Sequence, residues 1–245
     1  MDSYLNGYND PRLPVYFQPV TEGDNKGEYR GVANGMPNPQ QDDYKAMSAP
    51  NVQEKSTDSP LRWMMASEVA FLRAEGAMRG WTAEMGGTAE EFYNKGIELS
   101  FLENGLSADA AARYAADETS KPTDFTDVSA ANTKYNISAL GKITIKWNAG
   151  ASEEEQLERI ITQKWIAMFP NGTEAWSEFR RTGYPLIFPV RSNYPTSGVD
   201  TNKQIRRMVF PQSEYSNNGA AVQEAVKLLG GPDNGGTKLW WDKKN

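Results

Sequence analysis

The reactive side chains of this 245-residue chain are mostly carboxylates, and several stand close together: Asp42 with Asp43, Glu90 with Glu91, and Glu153 with Glu154 and Glu155. A glycosidase needs two carboxyl groups facing each other across the scissile bond. Three of these residues have a simpler use. Thr88 with Glu91, and Ser152 with Glu155, have the spacing of a capping box, in which a hydroxyl and a carboxylate satisfy the orphan amides of a helix start. Glu153 adds negative charge where the helix dipole favours it. Asp42 and Asp43 lie in a long loop, and no sequence motif gives them a catalytic role. The chain has no histidine and no cysteine. That removes Ser-His-Asp and Cys-His catalysis, imidazole bases, disulfides and zinc-thiolate sites. No catalytic motif remains, so a non-enzyme is expected.

The glycine stretches "GMPNPQ", "GG" at 86–87 and "GGPDNGG" at 230–236 neither follow a strand nor open a helix, and match no phosphate loop or dinucleotide fingerprint. "DDY" and "PDNGG" offer hard oxygen donors without the spacing of an EF-hand loop. No metal site and no cofactor is assigned. A net charge of −6 argues against a nucleic-acid partner, which needs a basic footprint. In such an acidic chain Arg206 and Arg207 are expected in structural ion pairs rather than in an anion clamp. Asp10 and Arg12 of "DPR" are expected to stabilise a turn.

Aromatic side chains are the remaining candidates. The chain holds seven Trp, eleven Tyr and nine Phe, more than a disordered chain carries. Trp63, Trp165 and Trp176 fall on helical patterns and are expected in the core. Tyr29, Tyr44 and Trp147 lie in polar, turn-rich contexts. An exposed ring beside Asn, Asp and Arg suits a sugar, whose apolar face stacks while amides and charges bond the hydroxyls. Arg30 and Asn34 stand beside Tyr29 in this way. The candidate ligand-binding residues are therefore Tyr29, Arg30, Asn34, Tyr44 and Trp147. The plainer alternative is that each ring pins its loop to the body.

The elements that must position these residues are mostly helices. Residues 1–60 are rich in Pro, Gly, Asn and Asp, and residues 21–59 show little periodicity. Loops of this length are commonly functional. Residues 61–80 read as a helix with Met65, Val69 and Leu72 on its apolar face. A second helix starts at Thr88 and ends at Gly105, with Phe92, Tyr93, Ile97, Leu99 and Phe101 on its apolar face, so the two form an αα-hairpin. A short Ala-rich helix is expected at 107–116. "GKITIKWNAG" alternates Ile143, Ile145 and Trp147, as a short strand or a bridging loop would. A third strong helix runs from Ser152 to about Phe169, with Leu157, Ile160, Ile161, Trp165 and Met168 inward. Pro170 breaks it, Asn171 or Thr173 caps a fourth, and a last helix follows Asn217 or Asn218. The N-terminus "MDSYLNGYND" lacks the basic and apolar regions of a signal peptide, and no apolar run has the length of a membrane span.

Taken together, "DPRLPVYF", "ASEVAFLRAEGAMRGW", "EEFYNKGIELSF", "ERIITQKWIAMFPNGTEAWSEFRRTGYP", "RRMVFPQSEYSNNGAAVQEAV" and "LWWD" resemble, in this order, the carboxy-terminal half of the SusD/RagB family. The resemblance implies a mainly α fold, with tetratricopeptide-like helical hairpins, long irregular loops and little sheet. It implies one domain over 1–245: a loop-rich ligand region at 1–60, a helical hairpin at 61–106, a variable insert at 107–150, and a hairpin with a C-terminal helix at 151–245. It implies non-catalytic binding of an oligosaccharide nutrient at the cell surface and its delivery to a SusC-like, TonB-dependent transporter of the outer membrane. Ligand contacts are then expected from the loops after "DPR", at residues 16–60. The family's lipid anchor and most of its tetratricopeptide helices belong to an amino-terminal half, so this sequence resembles a carboxy-terminal portion. Three rival readings are a peptide-binding RagB-type member, a helical scaffold for protein partners, and a glycoside hydrolase using loop carboxylates.

Overall fold

A computed structural model describes residues 1–35, 41–44, 47–51, 62–191 and 198–244 of the chain. The helices run in the order α1 (Asp2–Gly7), α2 (Leu13–Tyr16), α3 (Gln41–Tyr44), α4 (Ala66–Met78), α5 (Thr82–Met85), α6 (Ala89–Glu103), α7 (Ala108–Ala115), α8 (Glu153–Ala167), α9 (Gly172–Thr182) and α10 (Gln212–Leu228). Pairing between extended segments, among the described residues, amounts to two isolated bridges, Phe17 with Pro50 and Phe125 with Ile137. The mainly helical, sheet-poor class expected from sequence is what forms. The Asp43 side chain, residues 36–40 of "GMPNPQ" and the expected helical start at Leu61 lie outside the described residues.

α4 and α6 make the first hairpin, and α8 packs across both. The capping box opens α6: Glu91 N–H donates to Thr88 Oγ1 at 3.2 Å, and Thr88 N–H donates to the Glu91 carboxylate at 2.7 Å. These bonds hold the Glu91 carboxyl below its usual range. Ser152 caps α8 and Asn171 caps α9, each accepting from the amide three residues on. The inward residues of α6 are Phe92, Tyr93, Ile97 and Phe101, and those of α8 are Leu157, Ile160, Ile161 and Ile166, with Met168 buried at its C-cap. Trp165 is only half-buried, with its ring edge-on to Tyr4.

Three expectations change. α4 turns by about one residue from the face its periodicity suggested, so that Val69 and Leu72 are exposed while Ala70, Phe71, Ala74 and Ala77 are buried. Gly96 on α6 explains the choice. A Cβ there would stand 2.7 Å from the Phe71 ring, so the missing side chain makes the space the ring fills, and burying Phe removes more apolar area than burying Leu. Trp63 precedes α4 and is 89 % exposed, not core. α10 begins after Pro211 rather than at Asn217 or Asn218, and Asn218 instead interrupts it with non-helical dihedrals. Asn competes well for nearby backbone groups, which suits both a cap and a kink.

The segment 143–147 has the alternation of a strand without a partner strand. Ile143, Ile145 and Trp147 are buried. Their backbone carbonyls need donors, and side chains supply them. Tyr8 donates to Ile143 O at 3.2 Å, Tyr93 to Ile145 O at 2.5 Å and Arg159 to Lys146 O at 3.1 Å. Desolvation keeps both phenols protonated, raising them well above the usual tyrosine range.

Buried ions tie the elements together. Arg12 has no exposed surface; it pairs with Asp10 at 2.6 Å and donates to Ser100 on α6 and Gln163 on α8. Burial alone would lower its pKa, but Asp10 and Tyr114 more than reverse this, so it stays charged. Lys164 on α8 reaches Glu178 at 3.0 Å, Glu174 at 3.3 Å and Glu68 on α4 at 3.8 Å. Arg206 pairs with Asp242 at 2.5 Å and Arg207 pairs with Asp233. The paired arginines of the sequence are therefore clamps on the C-terminal segment.

Candidate functional site

The N-terminal end of α1 is where the loop residues meet. The packing of α1 leaves no room for variation at Gly7, where a Cβ would lie 2.2 Å from the backbone oxygen of Lys121. Ser3 Oγ donates to Thr123 O at 2.5 Å, and Thr123 N–H donates back to Ser3 O at 2.9 Å. This holds α1 against the segment 121–126. Asp2 then organises the loop above it. Its carboxylate accepts from Asn6 at 2.6 Å and from the Gly31 amide at 2.7 Å, while Asn6 also donates to Tyr29 O at 2.9 Å.

Two adjoining cavities share Asp2. The first, about 430 Å³, is lined by Asn6, Glu28, Tyr29, Arg30, Thr123, Asp124 and Thr126. The second, about 330 Å³, is lined by Val32, Ala33 and Asn34 of the loop and by Phe125, Ile187, Phe188, Pro189, Arg191 and Gln204. The first is lined mostly by polar residues, among them the carboxylates of Asp2, Glu28 and Asp124 and the guanidinium of Arg30. The second has an apolar wall with a polar rim. Both open to solvent: Asn34 and Asp124 are exposed, and Tyr29, Arg30 and Gln204 are partly so.

Arg30 crosses from the loop to the far wall. Its Nη2 donates to Thr126 O at 2.6 Å, its amide donates to Ser48 Oγ at 2.9 Å, and its Nε is buried without a partner. Glu28 stands 3.9 Å away. Tyr44 closes the same side: its hydroxyl donates to Asp127 at 2.9 Å and accepts from Asn132 at 2.7 Å. The opposite wall is stiffened by the paired Phe125 and Ile137, whose amides and carbonyls exchange bonds of 2.9 and 3.0 Å, and by Asp124, which accepts from the Ala139 amide at 2.9 Å.

Of the five residues proposed from sequence, Tyr29, Arg30 and Asn34 line this double cavity, and Tyr44 braces the segment next to it. Trp147 does not belong. It is 7 % exposed, and its ring packs on Tyr93 at 5.2 Å in the core. Its polar flanks suggested exposure, but the alternation with Ile143 and Ile145 decides its side. Asp2, Arg191 and Gln204 were missed, because nothing local to them marks a site. Gln204 carries a signal that only the backbone reveals, a φ of 57° in a non-glycine residue. Among the described residues no group of three or more acidic side chains is placed to hold a metal ion, and no helix is long and apolar enough to cross a membrane.

A family model described as SusD-like, Susd and RagB outer membrane lipoprotein, matches residues 1–242. The chain belongs to this family. Among solved structures it is similar to a chitin-binding SusD homologue from Flavobacterium johnsoniae, with 43 % identity and a TM-score of 0.91 over 100 % of this chain and 49 % of that one. It is similar to a SusD-like protein from Bacteroides thetaiotaomicron, with 46 % identity and a TM-score of 0.90 over 99 % of this chain and 49 % of that one. A SusD homologue from Bacteroides uniformis gives 44 % and 0.88, over 99 % and 48 %. The chain thus spans about half the length of these solved relatives. No curated protein matches.

Proposed function

We propose that the chain binds an oligosaccharide in the groove around Asp2, without cleaving it, as part of a cell-surface protein that passes its ligand to a SusC-like, TonB-dependent transporter in the outer membrane. The observation that carries this reading is the convergence of Tyr29, Arg30 and Asn34 on two open, adjoining cavities. An aromatic face with a few charged and amide groups around it matches the two faces of a sugar ring. The chitin-binding relative at 43 % identity supports a saccharide as ligand. The family's description as outer-membrane lipoproteins supports the place. Binding is modest in strength, because each sugar hydroxyl exchanges bonds with water for bonds with protein at small net gain.

Calorimetric titration with a panel of neutral and amino-sugar oligosaccharides tests the reading. Tyr29→Ala and Arg30→Ala are each expected to weaken binding about tenfold, near 1.4 kcal/mol. No heat with any glycan would sink the proposal. Unchanged affinity in both variants would move the ligand away from this groove.

A further inference from the structure

We infer that the second cavity is a specificity subsite that reads the acetamido group of a 2-acetamido sugar; this rests on the reading of the groove as a glycan site. A sugar bearing only hydroxyls meets an apolar wall with the C–H face of its ring alone and has no methyl to bury there. An acetamido group has three features, a methyl, an N–H donor and a carbonyl acceptor, and the cavity has a counterpart for each. Phe125, Ile187 and Phe188 form the wall for the methyl. Gln204 spends its own donor on Phe188 O at 3.1 Å, which fixes the side-chain amide and leaves Oε1 as an acceptor for the sugar N–H. Arg191 donates through Nη2 to Tyr135 O at 2.6 Å, which holds the guanidinium at the cavity, where its other N–H groups would bond the carbonyl. The exposed amide of Asn34, whose backbone oxygen accepts from the Arg191 amide at 3.1 Å, stands on the same rim.

An independent observation singles out Gln204. Its φ of 57° lies in the left-handed region, which glutamine rarely occupies and which Gly or Asn fills more easily. A residue held there at a cavity wall, with its side chain anchored, has the mark of local strain kept for a site.

The test compares three probes of equal length on the intact chain by calorimetry: an N-acetylglucosamine oligomer, a glucose oligomer and, as the other source of amide chemistry, an alanine peptide. The acetylated oligomer is expected to bind about tenfold or more tighter than the glucose oligomer, as a pocket built for a polar group rejects ligands lacking it. Gln204→Ala should bring the two sugars to similar affinity by weakening only the acetylated one. Should that variant fail to fold, the contrast between the two sugars on the unaltered chain still decides. Equal affinity for both sugars overturns the subsite and leaves the glycan groove standing. Binding of the peptide alone overturns the glycan reading itself, and binding of none of the three overturns the subsite.

Discussion

The helical body and the Asp2 groove both find partners for their buried polar groups, and they do so by different means. In the body most of the backbone is satisfied within helices, the segment 143–147 being served by side chains, and the charges that go inside are paired several times over: Arg12 with Asp10, Ser100 and Gln163, and Lys164 with three glutamates. Around the groove the chain is irregular, so side chains serve as partners for backbone. Asp2 takes the amide of Gly31, Asp124 that of Ala139, and the Asn136 side chain that of Asp127. That arrangement leaves atoms over. Arg30 Nε and Asp127 Oδ2 are buried without a partner at the groove. A multiply paired network makes a scaffold rigid, whereas side chains drawn into serving the backbone leave some of their own atoms without partners.

The contrast is broken most severely at Arg12. Arg12→Ala leaves Asp10 buried and unpaired, and is expected to cost about 3–5 kcal/mol, read as a drop in the urea midpoint. A drop below about 1 kcal/mol would mean that the network is not what holds α1 and α2 to the body. The body too has buried atoms without a partner, at Thr162 and Arg180, and the one with a consequence for pH is Glu158 on α8. It is 9 % exposed, and its Oε1 lacks a partner. Burial raises its carboxyl to about 7, against the pull of Arg159. A raised carboxyl favours the folded state fully below the unfolded value near 4.5 and loses that contribution as pH rises through 7. Glu158→Gln should therefore gain stability relative to the unaltered chain between pH 5 and pH 8, by about 1–2 kcal/mol after allowance for solvent screening. A gap that stays constant with pH would refute the assignment. The groove gives the smallest effect on folding: Tyr29→Ala should change stability by less than about 0.5 kcal/mol while weakening ligand, and a large loss of stability would make Tyr29 a structural pin.

The body was legible in the sequence wherever one local rule sufficed. Thr88 and Glu91 gave the start of α6, and the spacing of Leu157, Ile160 and Ile161 gave the inner face of α8. α4 was harder, because alanines surround the helix and periodicity alone cannot choose its face; the choice comes from Gly96, on another helix. Trp147 failed for a related reason. The hydroxyls of Tyr8 and Tyr93 replace a partner strand, and no local pattern announces them. At the groove, Tyr29, Arg30 and Asn34 were readable by residue type and neighbourhood. Arg191 and Gln204 were not, since folding alone brings them from the other end of the chain to Asn34.

Gly7 bears on how such a groove can change. Its contact with Lys121 is main chain against main chain, so the span between α1 and the segment 121–126 is independent of the side chains that line the opening. Residues such as Tyr29, Asn34 or Gln204 can be exchanged one at a time while the gauge of the opening stays constant. Recognition can thus be retuned at the lining without rebuilding the frame.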